Sequence, residues 1–193
     1  MMPTDPDSGG TWIAANDGGV VFAILNANPG WPVPPGEISR GLIIPSLVAS
    51  STVSEALRRA HDLRADRVAP FRLLLFDRYQ LVECWPDQGR IRHRRSFLNG
   101  PVMRTSSGLG DAVVARPRRA LFNQIFRAPD DPCLAQDRFH EHVWPEREAV
   151  SVNMRRPDAR TVSHTIVEIG LNTVSMSYHP IESAQPIVVR VAA

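Results

Sequence analysis

Along this chain the spacing of apolar residues switches between a strand-like period of two and a helix-like period near 3.6, with Gly- and Pro-rich clusters at the changes. The first patterned stretch, "TWIAANDGGVVFAILN", predicts two strands joined by a Gly turn. Its second half, "VVFAIL", is apolar at every position, which predicts a strand covered on both faces. Such a strand needs two neighbours, because a lone hairpin is marginal in water. "TWIAAN" supplies one, and the other is expected to be distant in sequence or missing.

"ANPGWPVPPGE" is an irregular loop. "RGLIIPSLVAS" follows as a helix whose start Pro45 leaves open. Thr52 and Glu55 fit a capping box, and "VSEALRRAHDLR" then places Val53, Ala56, Leu57 and Ala60 on one face. "RLLLFD", "QLVECW" and "RIRHRRS" read as three strands, with turns at Arg78-Tyr79 and Pro86-Asp87-Gln88-Gly89. Asp111 is placed to cap one short helical turn, and Pro117 to open a separate helix, "PRRALFNQIF". "CLAQDRFHEH" is a further short helix. Four strands are expected to close the chain: "AVSVNMRR", "RTVSHTIVEI", "TVSMSYH" and "PIVVRV". The order predicts one α+β domain over residues 1–193, built as two stacked antiparallel sheets with helices outside. Sheet on one side and helix on the other would then cover "VVFAIL".

Composition narrows the function. Hydrophobic residues at 43% and charged residues at 22% are those of an ordinary globular chain. No apolar run is long enough for a membrane span, and no signal peptide opens the sequence. A net charge of +2 gives no footprint for a nucleic-acid partner. All 22 basic residues are arginine, which excludes a lysine Schiff base. Cys84 and Cys133 are too few for a disulfide scaffold and read as reduced thiols, so a cytoplasmic location is expected.

Several clusters carry candidate chemistry. In "RTSSGLGD", consecutive amides around Ser106, Ser107 and Gly108 could bind an anion, or simply form a turn before a helix. The stretch is neither a nucleophile elbow nor a P-loop. Arg40 could grip a carboxylate bidentately or tie a loop to the next helix. His140 and His142 in "FHEHVW" have a spacing that faces one way on a strand but not on a helix, so no metal site is assigned. One of them could serve a haem as axial ligand. Arg90, Arg92 and Arg94 share one strand face, which could hold phosphates or anionic lipid or simply guard an edge strand by charge.

Five pieces together, "DPDSGGTWIAANDGGVVFAILN", "ISRGLIIPSLV", "RLLLFD", "SSGLGDAVVARPRRALF" and "SVNMRRPDARTVSHTIVEI", resemble the transport and Golgi organisation family, called NRDE after its Asn-Arg-Asp-Glu motif. "GGTW" followed by "SRG" is the most specific part. The resemblance implies the four-layer αββα sandwich of the N-terminal-nucleophile hydrolases, whose relatives include penicillin V acylase and bile-salt hydrolase. Family members begin Met-Cys and carry the NRDE motif before "GGTW". This chain begins Met1-Met2 and has neither, so the resemblance implies a truncated domain, missing its first strands. An unpaired sheet edge near the opening hairpin would then favour self-association. In that hydrolase class the first residue is the nucleophile and its own α-amine the base. The family resemblance further implies that Asn26 is an oxyanion donor, that Ser107 replaces an asparagine lining the site, and that Arg160 points toward the nucleophile. Arg40, Ser106 and Gly108 would contact ligand. The function expected is that of an amide hydrolase relative, inactive as it stands. The alternative is a non-enzymatic carrier of haem or an acyl lipid.

Overall fold

A computed structural model describes residues 1–181 and 185–192. It is a mixed α+β structure with antiparallel sheets. β1 (Ile13–Ala15) and β2 (Val21–Asn26) form the expected hairpin, turning through Gly19 at φ 72°. β3 (Phe71–Phe76), β4 (Gln80–Asp87) and β5 (Arg90–Phe97) extend it into one sheet in the order β1-β2-β3-β4-β5. The second neighbour of β2 is therefore β3, with Ile24 opposite Leu73, so the strand that sequence reading allowed to be missing is present. β1 stands at the edge of this sheet, as expected, and carries a few backbone ties on its outer side. Ala15 exchanges both backbone hydrogen bonds with Met1, at 2.6 and 2.9 Å, and Thr11 N donates to Gly41 O at 3.0 Å.

α1 (Ile43–Leu47) and α2 (Val53–His61) cover one face of this sheet. Pro45 is tolerated because it stands in the first turn of α1, where the N–H it lacks has no helical acceptor. α2 begins as expected: Thr52 accepts from Glu55 N, and the Glu55 carboxylate accepts from Ser51 N at 2.9 Å. Phe22, Ile24, Leu73, Leu75 and Val82 pack there against Ile44, Leu47, Val53 and Ala56. The opposite face meets a second antiparallel sheet, β6 (Ser163–Ile169), β7 (Thr173–Pro180) and β8 (Ile187–Ala192), through Ala15 and Val21 against Val174 and Met176. Helix on one side and sheet on the other thus cover "VVFAIL". α3 (Asp111–Ile125) and α4 (Pro132–Glu141) form a third core, in which Leu121, Phe122 and Phe126 pack on Phe139, Met103 and Trp144. Among the described residues no helix is long and apolar enough to cross a membrane.

Three expectations change. Pro117 does not open a helix; it lies inside α3, which runs unbroken from Asp111. Lacking an N–H, it removes the helical partner of the Val113 carbonyl. Asp111 is not the cap of a short turn but the first residue of α3, preceded by Gly110 at φ 101°. "AVSVNMRR" is not a strand. Residues Pro145–Val150 form a 3-10 stretch, and the following chain makes only one isolated bridge, between Arg155 and Arg160.

The two most specific pieces of the motif meet. A Cβ built on Gly10 would lie 3.0 Å from the Gly41 Cα, and one on Gly41 would lie 3.1 Å from the Gly10 Cα. The backbones cross there so closely that a Cβ on either glycine would have to push the facing main chain aside.

Candidate functional site

β2 ends at one rim of the first sheet, and a polar knot ties this rim to the start of α3. The Asp111 carboxylate accepts from Asn28 N (3.2 Å), Asn28 Nδ2 (3.4 Å), Arg72 Nη2 (2.9 Å) and Ser107 N (3.0 Å). Its backbone N donates to Asn28 O at 2.8 Å. Arg118, about two turns further along α3, is buried and holds the same loop. Its guanidinium donates to Thr105 Oγ1 (2.7 Å), Ser106 O (3.3 Å), Val150 O (3.0 Å) and Ser151 O (2.6 Å). Burial lowers the Arg118 pKa, and the charge of Asp111 opposes that shift. A carboxylate with four donors and a guanidinium with four acceptors are structural ties, with little bonding capacity left for a ligand.

Of the candidates named from sequence, all but Arg160 lie near this knot, and they do not converge. Along β2, Val21 faces the second sheet while Phe22 and Ile24 face the helices, and Asn26 continues the helix-facing series. Arg72, opposite Leu25, belongs to the other face. The sheet therefore lies between the Asn26 side chain and the Arg72–Asp111–Ser107 group. Asn26 Oδ1 is buried without a hydrogen-bond partner. Arg40 lies near the same rim. Its Nη1 donates to Pro70 O at 3.0 Å, the carbonyl that also accepts from Ala27 N, and burial lowers its pKa. Arg40 thus ties a loop rather than a carboxylate.

Ser106 Oγ accepts from Asn28 Nδ2 at 3.0 Å. Ser107 Oγ accepts from Leu109 N at 3.3 Å and makes no hydrogen bond to a His or carboxylate among the described residues, so no base is in place to activate it. The anion found by the Ser107 amide is the chain's own Asp111. Gly108 lies under the Arg156 guanidinium, where a Cβ would come 3.3 Å from Nη2. Arg160 stands elsewhere, in a cavity of about 370 Å³ that neither Asn26 nor Ser107 lines.

The larger concavities flank α3. One, of about 770 Å³, is lined by Leu121, Ile125, Trp144, Arg138 and His142. Another, of about 790 Å³, is lined by Ala112, Val113, Arg116 and Val150. Both include Pro117, Ala120 and Arg147, so they meet there as one groove along a helix face about 20 Å long. The Arg147 guanidinium sits 5.5 Å over the Trp144 ring. His142 packs edge-on against Trp144, and its Nε2 is buried without a partner. The neighbouring His140 keeps exposed surface; partial desolvation of its ring, and then His164, lower its pKa. Among the described residues no group of three His, Cys, Asp or Glu could hold a metal ion. Cys84 lies in the core, and desolvation, with a smaller push from Glu83, raises its thiol to about 12, so it is no nucleophile.

Sequence reading missed Asn28 and Arg72 as partners of Asp111, Arg118 as the tie of the loop at Thr105 and Ser106, and Arg147 with Trp144 as groove residues. The proximity of "NP" and "GLGD" is a long-range contact with no sequence period. "HVWPER" does carry an aromatic and an arginine three apart, a spacing compatible with their stacking.

No family model matches the chain, and no curated protein matches it. Among solved structures, a variant of conjugated bile acid hydrolase from Clostridium perfringens is similar at 11% identity and a TM-score of 0.44, covering 100% of this chain and 79% of that one. A likeness of that degree carries no weight for fold family or chemistry.

Proposed function

We propose that this chain is an NRDE-type αββα sandwich that holds a small apolar anion, a fatty carboxylate in character, without cleaving it. The observation that carries this reading is the groove along α3, with apolar walls at Leu121, Ile125, Ala120 and Val150 and cationic groups at Arg138 and Arg147. Apolar walls with a few placed polar groups are what a ligand site needs. The layering of α1 and α2, the first sheet and the second sheet supports the sandwich, as does the meeting of "GGTW" and "SRG" at Gly10 and Gly41. The separation of Asn26, Ser107 and Arg160 speaks for holding over hydrolysis, because a tetrahedral intermediate needs donor and nucleophile at one point. Haem suits the groove only in part. Arg138 and Arg147 match its carboxylates, but His142 Nε2 is buried, so no iron ligation is assigned.

The test is titration with palmitate, followed by tryptophan fluorescence, beside an assay on simple acyl amides. Saturable binding that Leu121→Trp blocks and Arg147→Ala weakens about tenfold, with no amide turnover, is the expected result. Amide turnover, or palmitate binding unchanged by both substitutions, overturns the reading.

A further inference from the structure

The cavity that contains Arg160 is separate from the α3 groove and shares only Val143 with it. Its volume of about 370 Å³ is that of a small-molecule site. Two of its wall residues carry opposite charge, Glu148 and Arg155. A backbone hydrogen bond, Arg155 N to Glu148 O at 3.3 Å, holds the two residues together. Even so, among the described residues their side chains form no ion pair with each other or with any other side chain. Arg160 stands opposite Arg155 on the isolated antiparallel bridge and, while engaged in an interaction of its own, adds positive potential on that side. The rest of the wall is formed by the apolar Val143, Met154, Val162 and Ile181, with the polar Asn153 and Thr161 between them.

A cation and an anion lining one cavity without pairing are matched by a ligand that carries both charges. A guanidinium fork receives a carboxylate, and a carboxylate receives an ammonium. The apolar wall leaves room for a hydrocarbon side chain. We infer that this cavity binds a small zwitterion with an apolar body, of the class of the apolar α-amino acids. Arg155 takes the ligand carboxylate, Glu148 takes the ammonium, and Met154 and Val162 contact the side chain. No bond is made or broken.

The experiment is calorimetric titration of the whole chain with L-leucine, compared with 4-methylpentanoate, which lacks the ammonium. Saturable binding of one leucine is expected, weakened about tenfold or more by Arg155→Gln and by Glu148→Gln. 4-Methylpentanoate should bind about tenfold more weakly than leucine to the unmodified chain, and equally to Glu148→Gln. Both substituted residues are exposed, so the fold should persist, and unchanged thermal melts verify it. Val162→Trp, which fills the cavity without touching either charge, should also abolish binding. Absence of saturable leucine binding overturns the inference. So does equal affinity of the charge variants, or 4-methylpentanoate binding as tightly as leucine.

Discussion

In the first sheet Phe22, Leu73, Leu75 and Val82 are fully buried, whereas in the second Ile187, Val188 and Val189 on β8 are 62%, 51% and 46% exposed. Both sheets are antiparallel meanders, so strand pairing does not distinguish them. Cover does. α1 and α2 close one face of the first sheet along β2, β3 and β4, while the second sheet reaches the first mainly through Val174 and Met176. Apolar burial, more than ladder hydrogen bonds, sets local stability. The first sheet should therefore behave as the folding core and the second as a docked unit that opens at lower cost.

The strongest way to break this contrast is Phe22→Ala. It empties a fully buried position in the core under α1 and α2 and should cost about 3–5 kcal/mol, read as a loss of global stability in chemical denaturation. Next in size is Arg118→Ala. It strips the donor from the carbonyls of Val150 and Ser151 and from Thr105, and should cost on the order of 3 kcal/mol. Arg118→Lys should recover only part of that, since an ammonium does not reproduce the planar fork. Val174→Ala sharpens the comparison itself. About 2 kcal/mol should be lost, and native-state hydrogen exchange should show β6 and β7 losing protection while β2 and β3 keep theirs.

A smaller effect follows from His140. Its unfolded form titrates near the ordinary 6.5, and desolvation of the ring by its neighbours holds the folded form lower, with His164 adding to the shift and Asp137 opposing it. Between those two values the unfolded chain binds more protons, so stability is complete above pH 6.5 and falls as pH drops through the folded value. His140→Phe should flatten this part of the melting-temperature profile. The smallest effect concerns association. β8 pairs on one side only among the described residues and exposes Ile187, Val188 and Val189, so it is an edge where copies should meet. Val188→Lys should shift sedimentation toward monomer without changing the melt.

Much of this fold was legible in the sequence because local rules and burial agree there. The hairpin, the capped α2 and the run β3-β4-β5 each carry a period, a turn and a cover that point the same way. The failures sit where a long-range partner overrides a local signal. "AVSVNMRR" alternates like a strand, yet Arg118 takes its carbonyls at Val150 and Ser151, and the Ser151 hydroxyl accepts from Trp144 N, so no ladder forms. α3 continues through Pro117 because packing of Leu121 and Phe122 on Phe139 outweighs one missing hydrogen bond. The site residues were less legible for the same reason. Asn26 and Ser107 are separated by a sheet whose register no single strand reveals.

Gly10 and Gly41 couple two distant codons. In a library randomised at both positions, a residue larger than glycine at either should be rejected whatever stands at the other, because the obstacle is the facing main chain and not a side chain that could be trimmed. Survivors would be selected for a crossing of two backbones, with no demand on catalysis or binding. The meeting of the "GGTW" and "SRG" pieces is thus a constraint of shape in this chain and leaves its chemistry open.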